Sequence, residues 1–341
     1  MPWVLPLIED VVCLGVMIMI NPGATFIATF VSASVYYIMQ RRRISAYWGD
    51  MRYGILMLII RVALYKLSHI KPHEKTWRPN ILVLSGSPTK RWYLIALADA
   101  ISQGKGFLTV GAIIPKSVSD ADRIKSLQNS ISSYLKERNV PAIVKILNTD
   151  NIFRGARTLV QNYGFGPLAP NTIMLGEAEN EENFQEYCAL ILRAVERQRN
   201  LIIVREKEEQ QPTFKESVRI DLWWRRIGDN AGLMLALAYL LKTSPEWKRG
   251  TRLVIKTIVD SEEEKEQQFK QLNEFVRKEN TECDINVFVK QENEQIRDMI
   301  NESSQGADLI FIGMRLPDAE ETAEQYSRYY RQLLHYTEHL P

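Results

Sequence analysis

The chain has 341 residues, of which 25% are charged, and its formal net charge is +2. This length allows two or three domains with cores of their own. A net charge this small excludes a global basic field, so we expect no nucleic-acid partner. Three cysteines, Cys13, Cys188 and Cys283, share no close spacing. They predict neither a disulfide framework nor a zinc site and are typical of a reducing compartment.

The first part of the chain predicts a membrane anchor. Residues 11–40 carry no charged side chain and are followed by Arg41-Arg42-Arg43. A single helix of about thirty residues would be about 45 Å long, which exceeds the hydrocarbon core of about 30 Å. Asn21-Pro22-Gly23 interrupts the run with residues that form turns. The sequence therefore predicts a membrane helical hairpin over residues 1–43, with spans of about 3–20 and 24–40.

The orientation of this anchor follows from its charges. The three arginines mark the cytoplasmic side by the positive-inside rule, so a hairpin has both ends in the cytoplasm. Glu9 and Asp10 argue for the alternative, a single span with an outward amino terminus, because carboxylates at membrane depth are costly. In either case we expect a protein of the cell membrane whose bulk is cytoplasmic.

Residues 44–76 predict a connecting amphipathic helix followed by a linker. The stretch 44–67 contains no proline, and Ile55–Ile60 is apolar on every face between Arg52 and Arg61. This stretch is too short for a third span. An apolar helix of this kind needs a partner, either the membrane surface or a second copy of the chain. We therefore expect a homodimer.

Short apolar runs alternate with helical patterns in the rest of the chain. This alternation predicts two consecutive parallel-sheet α/β units, residues 77–212 and 213–341, each sheet being covered on both faces. The predicted strands are 80–84, 107–114, 142–147, 172–175, 201–204, 252–259, 284–289 and 309–313. The predicted helices are 89–103, 119–138, 152–163, 181–198, 229–242, 262–279, 292–303 and 320–337.

Three ordered stretches carry a family resemblance. They are WRPNILVLSGSP at 77–88, QNYGFGPLAPNTIMLG at 161–176 and IDLWWRRIGDNAGLMLALAYLL at 220–241. The quoted motif residues are Gly164, Gly166, Pro170-Asn171, Asp221–Trp224 and Gly313-Met314. Over roughly residues 47–316 the chain resembles the cytoplasmic carboxyl-terminal domain of the cation–chloride cotransporter family, and its apolar start resembles the last two membrane helices of such a transporter.

The resemblance implies a function as well as a fold. It implies α/β units similar to universal stress proteins, a dimer, and a non-catalytic regulatory role in a symporter that couples chloride to sodium or potassium. The family's early membrane helices and ion sites have no counterpart in the chain, so no ion-binding residue is carried over. We expect a truncated relative or a split subunit that joins a separately encoded transporter membrane core and does not transport alone.

A nucleotide site is the second hypothesis. Ser85, Gly86, Ser87 and Thr89 follow the first predicted strand and precede a helix, where backbone amides can face the phosphates of ATP. Pro88 removes one of these donors. The alternative is a plain strand-to-helix turn in which Ser87 or Thr89 caps the helix. If ATP binds here, the chain is a membrane-tethered nucleotide-sensing module of the universal-stress-protein type.

No residue pattern predicts catalysis or a metal site. His335 and His339 lie four residues apart, but no third ligand is near them in sequence. Neither a Ser–His–Asp nor a Cys–His arrangement is present, so we expect no enzyme activity. Trp223 and Trp224 predict bulky packing between the two α/β units.

Overall fold

The structure is a computed structural model that describes residues 12–13, 15–41, 48–70, 77–116, 121–178, 180–206, 218–224, 229–247, 250–291, 294–337 and 340. The chain forms two compact units, Met1–Lys71 and Pro72–Pro341.

The first unit is helical. Residues 12–13 and 15–20 are helical, and helices α1 (Pro22–Arg41) and α2 (Trp48–Ser68) follow. The predicted helix break is present, because the Asn21 side chain accepts a hydrogen bond from the backbone N–H of Ala24 at 3.1 Å. Asn21 therefore caps α1, and Pro22 takes the first helical position, where its missing N–H is not needed.

The predicted hairpin stays a prediction. Within the described residues, none of the helices combines the length and the apolar character that a membrane crossing requires. Residues 1–11, which include Glu9 and Asp10, lie outside the described residues, as do Arg42, Arg43 and the linker residues 71–76.

The second unit begins with the first predicted α/β fold. Five parallel strands form a sheet in the order β3-β2-β1-β4-β5. Its strands are β1 (Ile81–Leu84), β2 (Leu108–Pro115), β3 (Ile143–Thr149), β4 (Thr172–Gly176) and β5 (Asn200–Val204). Its helices are α3 (Trp92–Ser102), α4 (Ala121–Glu137), α5 (Ile152–Asn162) and α6 (Phe184–Glu196), with 3₁₀ turns at Gly166–Leu168 and Glu181–Asn183. The predicted parallel sheet is confirmed, and its central strands are buried as a sheet covered on both faces requires.

A second parallel sheet of four strands has the order β8-β7-β6-β9. Its strands are β6 (Arg219–Trp223), β7 (Arg252–Val259), β8 (Asp284–Val289) and β9 (Leu309–Ile312). The helices that follow these strands are α7 (Asp229–Thr243), α8 (Glu262–Lys278), α9 (Ile296–Ser303) and α10 (Ala323–Thr337). Two consecutive parallel-sheet units are thus confirmed. Strand β6 was not predicted.

Two helix contacts join the sheets. Helix α3 packs against α7, so that side chains from both sheets share one apolar core. The Gln103 side chain donates to Thr243 Oγ1 across this contact at 2.8 Å. Helix α10 follows β9 of the second sheet but packs on α6 of the first sheet. The predicted unit boundary at residues 212 and 213 lies outside the described residues.

The motif residues Asn80 and Asn171 bind the first sheet together at the amino ends of its strands. Asn171 Oδ1 accepts from the Asn80 N–H at 2.9 Å, and Asn80 Oδ1 accepts from the Phe107 N–H at 3.1 Å. Gly164 has φ +88°, and a Cβ there would lie 2.6 Å from the Cα of Ala169. These motif residues are therefore needed for the architecture, and they lie at the edge opposite to the carboxyl ends of the strands.

Candidate functional site

The carboxyl ends of β1 and β4 form the candidate site. Strands β2 and β3 lie on one side of β1, whereas β4 and β5 lie on the other. The direction of strand addition therefore reverses between β1 and β4. In open α/β sheets such a switch point leaves a crevice outside the strand ends, and ligands bind there.

A cavity of about 330 Å³ occupies this crevice. Its apolar wall comes from Leu84, Ile113 and Leu175, and its polar rim includes Arg91, Glu177 and Asn180. Small-molecule sites in proteins range from about 300 to 1,000 Å³ and combine an apolar lining with few polar groups. The cavity is thus at the small end of this range and has the expected composition.

The four residues predicted to bind nucleotide have different environments in the structure. Gly86 lines the cavity and has φ +68°, a conformation that glycine adopts without strain. Ser85 is buried, and its hydroxyl has no hydrogen-bond partner among the described residues. Ser87 and Thr89 are exposed, and their hydroxyls lie 3.1 Å apart.

In the alternative of a plain strand-to-helix turn, only the capping role is wrong. Helix α3 begins at Trp92, and its N-cap residue is Arg91, whose side chain makes no capping hydrogen bond. The turn continues two residues beyond Thr89, and Arg91 donates its N–H to the carbonyl of Ser87 at 3.1 Å. Neither Ser87 nor Thr89 therefore caps the helix.

The Arg91 side chain reaches from the β1 side of the crevice to the end of β4. A Cβ placed on Gly176 would lie 2.8 Å from Arg91 Nη1 and 3.3 Å from the Tyr93 hydroxyl. Gly176 therefore leaves the space in which these two side chains lie. Together they place one cation and one hydroxyl at the switch point.

The opposite part of the rim is held by Glu177 and Tyr187. Glu177 accepts two close hydrogen bonds from the guanidinium of Arg205. The Tyr187 hydroxyl donates to the carbonyl of Gly176 at 2.8 Å. Burial raises the pKa of Tyr187 well above its ordinary value, so its hydroxyl stays protonated and remains a donor.

The fit of ATP to this cavity is partial. Gly86 and Arg91 are suited to an anionic group, and the apolar wall is suited to a flat ring. Pro88 has no N–H, and the Arg91 N–H is used within the turn. Ser85, Ser87 and Thr89 do not line the cavity. Binding of ATP therefore stays a prediction.

The second sheet contains a buried ion pair. Lys256 on β7 and Asp221 on β6 have exposed fractions of 3% and 0%, and Lys256 Nζ lies 2.7 Å from Asp221 Oδ2. Arg219 Nε lies 3.2 Å from the other carboxylate oxygen. Lys256 also donates to the carbonyl of Ser303 at the end of α9. The pair therefore joins two strands and a helix.

Trp223 and Trp224 make their ring contacts within the second α/β unit. Trp223 stacks on Phe288 at 6.0 Å between ring centroids, and Trp224 meets Phe275 edge-on at 5.7 Å. Trp223 also donates to Ser304 Oγ at 2.9 Å. Trp224 nevertheless belongs to the apolar core that both sheets share, so the prediction that these rings pack between the two units stays a prediction.

No metal centre is visible in the ranges that the structure describes. None of the described His, Cys, Asp and Glu side chains form a group of three that is positioned to hold an ion. His335 lies 3.4 Å from Arg297 Nη1, and His339 is outside the described residues.

The fold is that of a known transporter domain. The crystal structure of the cytoplasmic domain of a prokaryotic cation chloride cotransporter matches with a TM-score of 0.51 and 19% identity, over 77% of this chain and 92% of that one. A structure from Pseudomonas aeruginosa UCBPP-PA14 assigned to the universal stress proteins has a TM-score of 0.43 and 12% identity, over 72% of this chain and 87% of that one.

Sequence comparison points to the same class. The profile of solute carrier family 12 matches residues 91–215. Potassium/chloride cotransporter 3 of Caenorhabditis elegans is 26% identical over 290 residues, which are 79% of this chain and 26% of that protein. The predicted resemblance to the cation–chloride cotransporter family is confirmed, and the chain has the fold of the cytoplasmic domain of a prokaryotic cation chloride cotransporter. The family consists of transporters rather than enzymes.

Sequence reasoning found one side of the cavity and missed the other. Gly86 was predicted from its place after a strand, whereas Arg91, Gly176 and Glu177 were not. The missing step was the strand order, which places β4 beside β1. These residues follow apolar strands of the first unit, and this position was the sequence signal that could have indicated them.

Proposed function

We propose that the chain is a regulatory and dimerisation module of a cation–chloride cotransporter-like membrane protein, with its α/β body on the cytoplasmic side. The transporter whose activity it regulates couples chloride to sodium or potassium. The fold supports the cytoplasmic role, because it matches a cytoplasmic cotransporter domain. The observation that carries the dimerisation role is the exposed apolar surface of α2.

Helix α2 exposes consecutive apolar side chains around its whole circumference. Six of them are between 47% and 59% exposed: Ile55, Leu56, Met57, Leu58, Ile59 and Ile60. Val62 is 60% exposed on the next turn. Contiguous apolar surface of this kind marks an interaction site. A second copy of α2 would bury this surface, and we propose that it is the partner.

A further part of the proposal is that the chain does not transport ions by itself. Ion pathways need polar groups that are available to the ion near the middle of the membrane. In α1 the hydroxyls of Thr25, Thr29 and Ser34 donate to carbonyls four residues earlier, at 2.9, 2.8 and 2.7 Å. The donor hydrogens of these hydroxyls are therefore already used within the helix.

The proposed partner of the module is a transporter membrane core. The chain spans about a quarter of the length of potassium/chloride cotransporter 3. The module would thus act on a larger assembly at the cell membrane.

Assembly is tested by sedimentation of the full chain in detergent. The wild-type chain is expected to be a dimer at micromolar concentration. Introducing Ile59→Asp together with Val62→Asp places two carboxylates in the proposed interface, where they are buried without partners, and should produce a monomer. The matched control is Lys66→Asp, which changes an exposed charged position of the same helix.

The sedimentation results distinguish a dimer formed through α2 from the alternatives. A wild-type monomer would contradict dimerisation. A dimer that persists in the double variant would show that α2 is not the interface. A control that dissociates as readily as the double variant would assign the effect to charge alone.

A second candidate function is nucleotide sensing, which the switch-point cavity favours. A ligand at a hundredfold its dissociation constant stabilises the folded state by about 2.7 kcal/mol. Thermal melting of the full chain with millimolar ATP should therefore show a clear shift. Arg91→Ala should abolish this shift, whereas Lys90→Ala, at the exposed neighbouring position, should retain it. A wild-type chain whose melting temperature is unchanged by ATP would exclude the nucleotide.

A further inference from the structure

The last helix runs from the second sheet to the wall of the cavity in the first sheet. Its start is held by Arg315, which donates to both carboxylate oxygens of Glu321 at 2.8 and 2.7 Å. The Tyr326 hydroxyl donates to the Arg315 carbonyl at 2.7 Å, and the Arg315 N–H donates to the Tyr329 hydroxyl at 2.8 Å. The segment after β9 is therefore bound to the first turns of α10.

Tyr330 of α10 and Tyr187 of α6 form the contact between α10 and the cavity wall. Tyr330 of α10 is 1% exposed and lies 5.4 Å from the ring of Tyr187, measured between centroids. Tyr187 itself lines the cavity and donates to the Gly176 carbonyl. Phe184 at the start of α6 meets the Tyr330 ring edge-on at 5.5 Å. Removing α10 would therefore uncover the back of the cavity wall.

Polar contacts make the same connection at two other points. Arg205 binds Glu177 on the cavity rim and also donates to Thr337 Oγ1 of α10 at 3.1 Å. Arg331 of α10 lies 3.4 Å from a carboxylate oxygen of Glu181, in the 3₁₀ turn between β4 and α6. The segment from β4 to α6 is thus connected to α10 at Glu181 and Phe184 directly, and at Glu177 through Arg205.

We propose that α10 is a latch for the switch-point cavity, such that docking of α10 and ordering of the cavity wall from Gly176 to Tyr187 form one cooperative unit. A ligand that fills the cavity would then strengthen the docking of α10, and release of α10 would weaken ligand binding by the same factor. Because α10 follows β9 of the second sheet in the chain, the latch connects the two sheets. This inference rests on the proposed regulatory function for its biological role.

Cys188 is a native reporter of this latch. It lies on α6 with no exposed surface and belongs to the same apolar cluster as Tyr326 and Tyr330. Burial raises the pKa of its thiol to about 12. A thiol reagent can therefore reach Cys188 only when the cluster under α10 opens.

The test measures Cys188 labelling and amide hydrogen exchange in the full chain in detergent, with Cys13→Ser and Cys283→Ser as background. Tyr330→Ala should raise the labelling rate about tenfold or more. It should also raise exchange at residues 176–178 and 180–187 but not in β3. Thr337→Val, which removes one polar contact, should raise the labelling rate about threefold. The matched control is Arg328→Ala on the exposed side of α10, which should leave both measurements unchanged.

Two results would overturn the latch. The first is a Cys188 labelling rate that is unaffected by Tyr330→Ala. The second is faster labelling while the amides of the cavity wall keep their protection, because α10 would then move independently. If Tyr330→Ala also exposes β3, Tyr330→Leu retains an apolar side chain and allows the same comparison. A monomeric wild-type chain would contradict the proposed dimerisation and leave these rates unaffected.

Discussion

Both sheets have a switch point at which the direction of strand addition reverses, but the two switch points differ in the space that they leave for a ligand. In the first sheet the ends of β1 and β4 enclose a cavity of about 330 Å³. In the second sheet the equivalent ends belong to β6 and β9, and there the Asn230 side chain donates to the carbonyl of Met314 across the gap. Strand order thus determines where a site can form, and the side chains at the strand ends decide whether space remains for a ligand.

The two sheets also differ in the side chains that their strands bury. Among the described residues, the strands of the first sheet bury no charged side chain, whereas β6 and β7 of the second sheet place Asp221 and Lys256 in the interior. A buried pair of charges is strongly destabilising when one partner is removed, because the other is then left without compensation. We therefore expect the second sheet to be the more sensitive of the two to a single charge change.

The largest expected effect is that of Lys256→Ala. It leaves Asp221 buried without its closest cation and should lower the free energy of unfolding by about 3–5 kcal/mol. The control is Lys242→Ala, whose partner Glu282 is exposed at 3.9 Å, and it should change stability by about 0–1 kcal/mol. Urea unfolding of the full chain measures both. Equal effects of the two substitutions would contradict the importance of the buried pair.

A smaller effect is expected from adding one methyl group to a helix of each sheet. A Cβ on Gly155 of α5 would lie 2.6 Å from Thr149 Cγ2 and 2.8 Å from Ile113 Cγ2, both on stiff β-branched side chains. Gly155→Ala should therefore cost about 1–3 kcal/mol.

Gly232 of α7 is the matched position in the second sheet. A Cβ there has nothing within 4 Å, so Gly232→Ala should stabilise the helix by up to about 1 kcal/mol. The midpoint of urea unfolding at unchanged slope gives the sign of each effect. A stabilising Gly155→Ala would show that α5 packs less closely on the first sheet than the structure indicates.

A last prediction concerns the labelling of the Cys283 thiol in the second unit. Burial raises the pKa of this thiol to about 11, with Lys242 opposing the shift. The thiolate is the reactive form, so the labelling rate should rise about tenfold per pH unit up to about pH 11. A Cys13→Ser chain, in which buried Cys188 is slower, allows the measurement. A plateau near the ordinary value of about 8.5 would contradict the buried environment.

Much of the fold was predictable because most strands are continuous apolar runs. Strand β6 was missed because Arg219 and Asp221 alternate with apolar residues, and the burial of Asp221 is compensated by Lys256, which comes more than thirty residues later in the sequence. The site was half predictable for a similar reason. Gly86 follows its own strand, but Gly176 reaches the cavity only because β4 lies beside β1.

The packing of the last helix was also beyond the sequence. Its helical pattern was predicted at residues 320–337, and α10 (Ala323–Thr337) confirms it. Tyr326 and Tyr330 predict an apolar face on this helix, but the sequence does not indicate which surface of the protein covers that face. That surface is α6 of the other sheet, a long-range contact that local periodicity does not encode.

We propose that this chain regulates and assembles rather than transports. Reconstitution of the purified chain in liposomes, followed by chloride-dependent rubidium uptake, tests it most directly. We expect uptake equal to that of protein-free liposomes, because the hydroxyl hydrogens of Thr25, Thr29 and Ser34 in α1 are donated within their own helix. Saturable uptake above that level, requiring both chloride and the cation, would contradict the proposed role.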